Sequence, residues 1–447
     1  MLTLALLASE AAEIGDQLSF FTVIPFVGML LSIAILPLAT PVWFEHLRNK
    51  GIVAAIFGVP VLAYLLLSYG GDGLTEILHT GEEYISFIMY IAALFTIAGG
   101  IYFTGDTLGS PRNNTTFMIV GAILANFVGT TGAAMLMIRP LLRANAERRH
   151  KVHVFVFLIF IVCNTAGLLT PLGDPPLFLG FIRGIDFFWT LHLWKEWLFV
   201  QVVLMVLFFV VDSYFFKKES AAIKKVDKAT SEPFRIRGGI NFLFLAGVIA
   251  SVYFSGSVEG FEWWMRDLIL VGLVLLSLFL GPKEPRSLNK FSWAPIGEVA
   301  IVFAGIFASM IPALAILKAR GDQFGIDQPW QFFWLTGGLS SFLDNAPTYL
   351  VFTSLAQGLL GLENFPDLMS TTVDPALGFA PAAFLAAISC GAVFMGANSY
   401  IGNAPNFMVK AICEEQGIKM PNFFAYIGFA AAVLIPIFIL VTLLFFL

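Results

Sequence analysis

The sequence predicts an all-α polytopic membrane protein: an inverted repeat of five transmembrane helices plus one re-entrant hairpin per half, with broken helices at the bilayer midplane. Three observations predict it. The 447 residues are 58% hydrophobic and 12% charged, with apolar segments recurring along the whole chain, the composition of one membrane-embedded domain rather than several soluble ones. Two of those segments carry the same interruption, Gly167-Leu-Leu-Thr170-Pro-Leu-Gly173-Asp174-Pro-Pro176 and Gly396-Ala-Asn398-Ser399-Tyr-Ile-Gly402-Asn403-Ala-Pro405. Both read Gly-x-x-Thr/Ser-x-x-Gly-Asp/Asn-x-Pro, five like residues at identical spacing. Finally, the lysines and arginines divide unevenly between the two faces that this scheme creates.

In chain order, long apolar segments run over 18–39, 52–69, 84–103, 152–182, 197–216, 239–254, 264–280, 293–317, 380–408 and 423–447, giving ten crossings. Two further stretches, 116–138 and 329–355, are apolar but interrupted near their middles by Gly, Thr, Asp, Asn and Pro, and are read as re-entrant hairpins. Under this scheme one face receives Arg48, Lys50, Arg112, Arg139, Arg143, Arg148, Arg149, Lys151, the cluster from Lys217 to Arg237, Lys283, Arg286, Lys290, Lys410 and Lys419. The other face receives only Arg183, Lys195, Arg266, Lys318 and Arg320. Basic residues accumulate in short cytoplasmic loops, so both termini are expected outside. The acidic loops 72–83 and 363–374 fall on the poorly basic face. Residues 1–216 form the first half, 217–237 a basic cytoplasmic linker and 238–447 the second half. Five crossings per half is odd, so the halves enter the membrane from opposite sides, and their broken elements meet near the midplane.

Other classes are disfavoured. Met1 to Ala12 holds a short apolar run with no basic residue before it, unlike a secretory signal. No lipidation motif, soluble domain or nucleic-acid-binding run is evident. Cys163, Cys390 and Cys413 lie in or beside apolar segments without metal-ligand spacing and read as packing residues. The aromatics Trp189, Trp194, Trp197, Trp263, Trp264, Trp330 and Trp334 fit interfacial belts. An aspartyl intramembrane protease would show Gly-x-Gly-Asp, whereas Pro171 stands where the first glycine belongs, and no HExxH is present. The chain is therefore not expected to be an enzyme, and no cofactor is expected.

The chemistry lies at the four breaks. The first hairpin carries Asn126-Phe-Val-Gly129-Thr130-Thr131-Gly132, and the second carries Ser340-Ser341-Phe-Leu-Asp344-Asn345-Ala-Pro347-Thr348. Aligning Phe127 with Phe342 sets Gly129 opposite Asp344 and Thr130 opposite Asn345. Non-helical backbone at membrane depth must line a cavity or be buried in protein. Carbonyls exposed there, with the oxygens of Thr130, Thr131, Thr170, Thr348, Ser341, Ser399, Asn126, Asn164, Asn345, Asn398 and Asn403, suit a small hard cation, while half-helix N-termini suit an anion. Each half of the site has one carboxylate, Asp174 or Asp344, and no positive charge, and intramembrane acids mark ion paths or proton relays. A desolvated acid holds its proton more tightly and a nearby cation displaces it. Helix capping is the competing reading: Asp174 precedes Pro-Pro and Asp344 precedes Asn345, although Asn403 and Asn345 are neutral caps at hand. Glu298, near the inner end of 293–317, reads as either a proton-path acid or an interfacial residue, while Asp106, Asp212 and Asp267 sit near span ends and read as solvated or structural. His150 and His153 adjoin a basic loop, which argues against histidine relays.

At these residues the chain resembles the ion transporter superfamily. Asn164-Thr-Ala-Gly167-Leu-Leu-Thr170-Pro-Leu-Gly173-Asp174 and Ser341-Phe-Leu-Asp344-Asn345-Ala-Pro347 are similar to the motifs of NhaD-type sodium/proton antiporters, and Gly-x-Asn-x-x-x-Gly around Asn398 is similar to the arsenite branch. The resemblance implies that Asp174 and Asp344 titrate and hold sodium, with Asn164, Thr170, Ser341 and Asn345 shaping the cation site. It also implies an inner (plasma) membrane location, a homodimer, and sodium or lithium exchanged for protons across the bilayer by alternating access. Sodium-coupled citrate/dicarboxylate symporters of the superfamily are the alternative. Their hairpin tips carry Ser-Asn-Thr, whereas these read Gly129-Thr130-Thr131 and Asp344-Asn345-Ala346, and a fixed carboxylate would repel a dianion unless sodium neutralised it.

Overall fold

The computed structural model describes residues 14–106, 108–220, 232–258 and 260–447. The segment Met1 to Ala12 and most of the basic linker lie outside the described residues. Among the described residues nine helices are long and apolar enough to cross a membrane. Helix α1 is Ile24–Ala39. The run Leu47–Ala98 would extend roughly 78 Å if straight, against about 30 Å of bilayer hydrocarbon. It is broken at Gly70 (φ 56°, ψ −116°) into α2 (47–69) and α3 (71–98).

The next run, Pro111–Ala144, also meets the length and composition for one crossing, yet it folds back on itself. Gly129 (φ 74°, ψ 157°) splits it into α4 (111–128) and α5 (130–144). Asn114 and Asn145, which a straight helix would hold roughly 46 Å apart, exchange amide hydrogen bonds of 2.9 and 3.0 Å. The turn therefore sits at Gly129, whose positive φ a side chain would strain. The second hairpin is α13 (Pro329–Ser340) and α14 (Asn345–Leu360), whose arms pack on each other and both on α15 (Pro381–Met395).

The two motif-bearing segments are broken as expected. The first is α6 (Val152–Ile161), a 3-10 turn at Thr165–Leu168 and α7 (Pro175–Ile182). At ten residues α6 is about 15 Å long, too short to cross a bilayer by itself. All residues from His153 to Leu168 are buried; a helix apolar on every side is enclosed by protein on every side. The second is α15, a 3-10 turn at Gly396–Asn398 and α16 (Ala404–Glu415). The remaining helices are α8 (Trp194–Lys217), α9 (Ile240–Ser257), α10 (Trp263–Leu280), the short α11 (Lys283–Leu288), α12 (Ala294–Arg320) and α17 (Phe423–Val441). Helix α12 packs along α2 and α3, beside α1, while α14 touches both α12 and α7 and so joins this group to the broken helices.

The fold is mostly helical, as expected, and beside the helices β1 (Tyr102–Asp106) and β2 (Glu232–Arg237) form an antiparallel ribbon in which Tyr102 pairs with Arg237. The aromatic and β-branched residues of both segments favour such pairing. The acidic stretch 72–83 is no loop but the start of α3. Its Glu83 is buried and takes two hydrogen bonds of 2.8 Å from Arg183 at the end of α7. Of the two readings of Asp212 and Asp267, solvated or structural, the structural one holds. Asp212 is fully buried between Arg148 (2.6 Å), His153 (2.8 Å) and Asn114 (2.9 Å), and Asp267 is held by Arg266 and Ser86. Buried charges survive by such pairing.

The break in the first motif depends on close backbone contact: a Cβ on Gly173 would lie 2.2 Å from the Gly167 carbonyl oxygen, and Gly402 meets Gly396 in the same way at 2.6 Å. Gly173→Ala is expected to destabilise the protein by about 1–3 kcal/mol through overpacking against backbone. Gly338→Ala, where nothing lies within 4 Å, is expected to be neutral or stabilising by up to about 1 kcal/mol. Thermal unfolding of the two purified variants, followed by tryptophan fluorescence, checks the contrast; equal melting temperatures would refute it.

Candidate functional site

Four short helices start where the four broken elements meet: α5 at Thr130, α7 after Asp174, α14 at Asn345 and α16 after Asn403. Asp174 is buried at their junction. Its Oδ1 accepts hydrogen bonds from Thr130 Oγ1 at 2.8 Å and Asn403 Nδ2 at 3.3 Å, and its Oδ2 accepts one from Asn345 Nδ2. One carboxylate thus ties the first hairpin, the second hairpin and both broken helices. Asp174 occupies the N-cap position of α7 but makes no capping bond, and neither does Asn403 before α16. Capping therefore does not explain Asp174. It does account for one contact of Asp344, whose side chain accepts from Ala346 N at 3.0 Å. Asp344 is half-buried and within electrostatic range of Asp174.

The hairpins seize the broken helices by matched bonds. Thr170 Oγ1 donates to the Asn126 carbonyl (2.5 Å), and Ser399, its counterpart in the second motif, donates to the Ser341 carbonyl; Asn126 and Ser341 are opposite one another when Phe127 is aligned with Phe342. Leu169 N donates to Asn126 Oδ1 (2.9 Å), and Asn398 Nδ2, at the corresponding position, donates to Ser341 Oγ (2.9 Å). Of the residues singled out in the sequence, Thr131 and Thr348 stand apart. Thr348 bonds back to the Asp344 carbonyl within its own helix, and among the described residues Thr131 forms no hydrogen bond with the others.

Acceptors outnumber donors here. Asn164 Oδ1, Asn345 Oδ1 and Asn398 Oδ1 are buried without a hydrogen-bond partner. Their orientation is set by what the amide nitrogens do: Asn345 Nδ2 faces the Asp174 carboxylate, and Asn164 Nδ2 donates to Ile159 O (2.8 Å) and Asn406 Oδ1 (2.7 Å). Among the described residues no Lys, Arg or His pairs with Asp174 or Asp344. Helix N-termini ordinarily offer free N–H groups to an anion, but α7 opens with Pro175 and Pro176, which have none, and Leu177 N donates to the Asp174 carbonyl. Pro405 in α16 and Pro347 in α14 deplete those starts likewise. Oxygen in excess with few donors suits a hard cation or a proton. Among the described residues no three His, Cys, Asp or Glu gather as transition-metal ligands.

Sequence reasoning missed Asn406, which bonds Asn164, and Tyr90 of α3, which stacks on Phe178 at 3.7 Å and donates to the Leu172 carbonyl at 2.8 Å. Asn406 carried a faint signal, a second amide three residues after Asn403 in the first turn of a helix. Tyr90 carried none, because a tyrosine in an apolar crossing has many partners available.

Residues 15–446 match a family whose description reads "Putative citrate transport". No curated protein matches the chain.

Asp174→Asn is expected to leave stability within about 1 kcal/mol of the parent, since Asn345 can turn its unpaired Oδ1 toward the new NH2 group, whereas Asp174→Leu strands three buried donors and costs about 3 kcal/mol or more. Chemical or thermal unfolding of both variants checks this. Equal destabilisation would show that the carboxylate's charge, not its acceptor role, holds the junction.

Proposed function

The chain belongs to this citrate-transport family, matched over nearly its whole length, and from that premise we propose that it is a secondary active transporter exchanging sodium or lithium for protons at Asp174 and Asp344. The observation that carries the reading is the surplus of buried acceptor oxygens around Asp174, with no cationic side chain and donor-poor helix starts. Sodium would be held by Asp174 with Asn164 and Asn345, and by Asp344 across the junction. Thr170, Ser341, Ser399, Asn126 and Asn398 would fix the hairpins against the broken helices, and Thr130 and Asn403 would steady the carboxylate. A proton on Asp174 removes the charge that draws the cation, and a bound cation makes the proton leave; mutual exclusion at one carboxylate is what exchange requires.

The matched pairs Thr170–Asn126 and Ser399–Ser341 support two similar halves, 1–216 and 238–447, joined by the linker 217–237. In the bilayer these halves would be inverted, with the hairpins entering from opposite faces and the junction near the midplane. The plasma membrane, external termini and a homodimer belong to the same proposal.

A second reading is favoured by the family description: cation-coupled symport of citrate or a dicarboxylate. A polyanion at this junction meets two carboxylates and no lysine or arginine, so it would enter only with cations that bridge it to Asp174 and Asp344. Proteoliposomes with a preset pH gradient and an internal pH dye separate the readings. Sodium or lithium is expected to dissipate the gradient without citrate, and Asp174→Asn and Asp344→Asn are expected to abolish this. Uptake of labelled citrate that needs sodium, with no cation-driven proton flux, would replace the first reading by the second.

A further inference from the structure

Asn164 and Asn406 have no counterparts in the other half. The motif alignment sets Val393 opposite Asn164 and Leu177 opposite Asn406, just as it sets Asn403 opposite Asp174. The buried amide pair, one member on each broken helix, is therefore not repeated by the two-fold relation between the motifs.

The pair has a direction. Asn406, fully buried in the first turn of α16, uses both hydrogens of its NH2 group on the unwound backbone of the second motif: Gly396 O at 2.8 Å and Ser399 O at 2.9 Å. Its Oδ1 must then face the other way, where it accepts from Asn164 Nδ2 at 2.7 Å. The second hydrogen of Asn164 goes to Ile159 O at 2.8 Å. With its NH2 group spent, Asn164 presents a carbonyl oxygen on its remaining side, where no donor meets it. That oxygen lies against Gly396, close enough that a Cβ there would stand 2.9 Å from it. A flipped Asn164 would aim its oxygen at two acceptors, Ile159 O and Asn406 Oδ1, and its NH2 group at Gly396.

We infer that Asn406 is a positioning residue of the cation site: by holding Asn164 in one of its two amide orientations, it makes that side chain present an oxygen rather than two N–H donors. Asn406 touches no cation itself. Orientation is passed from the carbonyls of the unwound segment through one amide to the next, across the two broken helices. Unwinding of the second motif and readiness of the first to take a cation are thereby linked. The inference rests on the cation-binding reading proposed above.

The experiment compares Asn406→Leu, which removes acceptor and donors at similar volume, with Asn406→Asp, which keeps an acceptor toward Asn164. Each is reconstituted as full-length protein and assayed for sodium-driven proton flux and for sodium-dependent change in melting temperature. For Asn406→Leu the sodium KM is expected to rise about tenfold, the loss of one oriented ligand, with kcat within about twofold of the parent. Its melting temperature without sodium should fall, because Asn164 Nδ2, Gly396 O and Ser399 O each lose a buried partner, and the rise that sodium produces in the parent is lost. For Asn406→Asp the sodium KM should stay at or below the parent value. An unchanged KM in Asn406→Leu, a parallel loss in kcat with no change in KM, or a raised KM in Asn406→Asp would overturn the inference. Should Asn406→Leu fail to fold, Asn406→Ala, which also removes both the acceptor and the donors, takes its place with the same expected rise in KM. Absence of any sodium response in the parent protein would instead remove the reading on which the inference stands.

Discussion

The arrangement of the broken elements depends on one buried carboxylate. Asp174 has no cationic partner and does not cap its own helix; it is held by donors from three other segments, Thr130, Asn345 and Asn403. A carboxylate taken out of water must have its lone pairs met, and only the convergence of two hairpin tips and two helix breaks meets them. The requirement runs both ways. The breaks bring together the side chains that steady Asp174, and Asp174 gives those breaks a common point to fold toward.

The junction exists because glycine and proline act together at each break. Gly173 lies against Gly167, and Gly402 against Gly396, so closely that any side chain would collide with a carbonyl. The prolines that follow start the next helix while withholding N–H groups. A helix start usually favours an anion; here the missing donors and the three unpaired amide oxygens leave a surplus of acceptors. The same backbone device can serve opposite ligands, and the side chains decide which.

Around this centre the polar residues near the helix ends tie elements together in pairs. Glu83 joins α3 to the end of α7 through Arg183, and Asp212 gathers the two ends of the first hairpin with α6 and α8 through Asn114, Arg148 and His153. Each is a buried charge with several bonds, strongly destabilising to break by removing one member. Such pairs join segments far apart in sequence, so the first broken helix is braced at both outer ends as well as at the junction.

Hydropathy and the Gly/Pro punctuation located the apolar segments and the four breaks, because these are properties of short stretches of chain, but not their number: ten crossings were expected, and nine helices among the described residues are long and apolar enough to cross, one of them the bent run Pro111–Ala144. The repeated motif, by its spacing alone, likewise put Asp174 and Asn403, and Thr170 and Ser399, in corresponding positions. Only the tertiary structure decided which partners each side chain meets. It separated Asp174, which bridges segments, from Asp344, which also caps its helix, though both precede a helix start in the sequence. It turned the acidic stretch 72–83 from loop to helix, paired β1 with β2 across about 130 residues, and revealed Asn406. Such features depend on contacts between distant segments, and local composition carries no record of which oxygen will find a donor and which will be left without one.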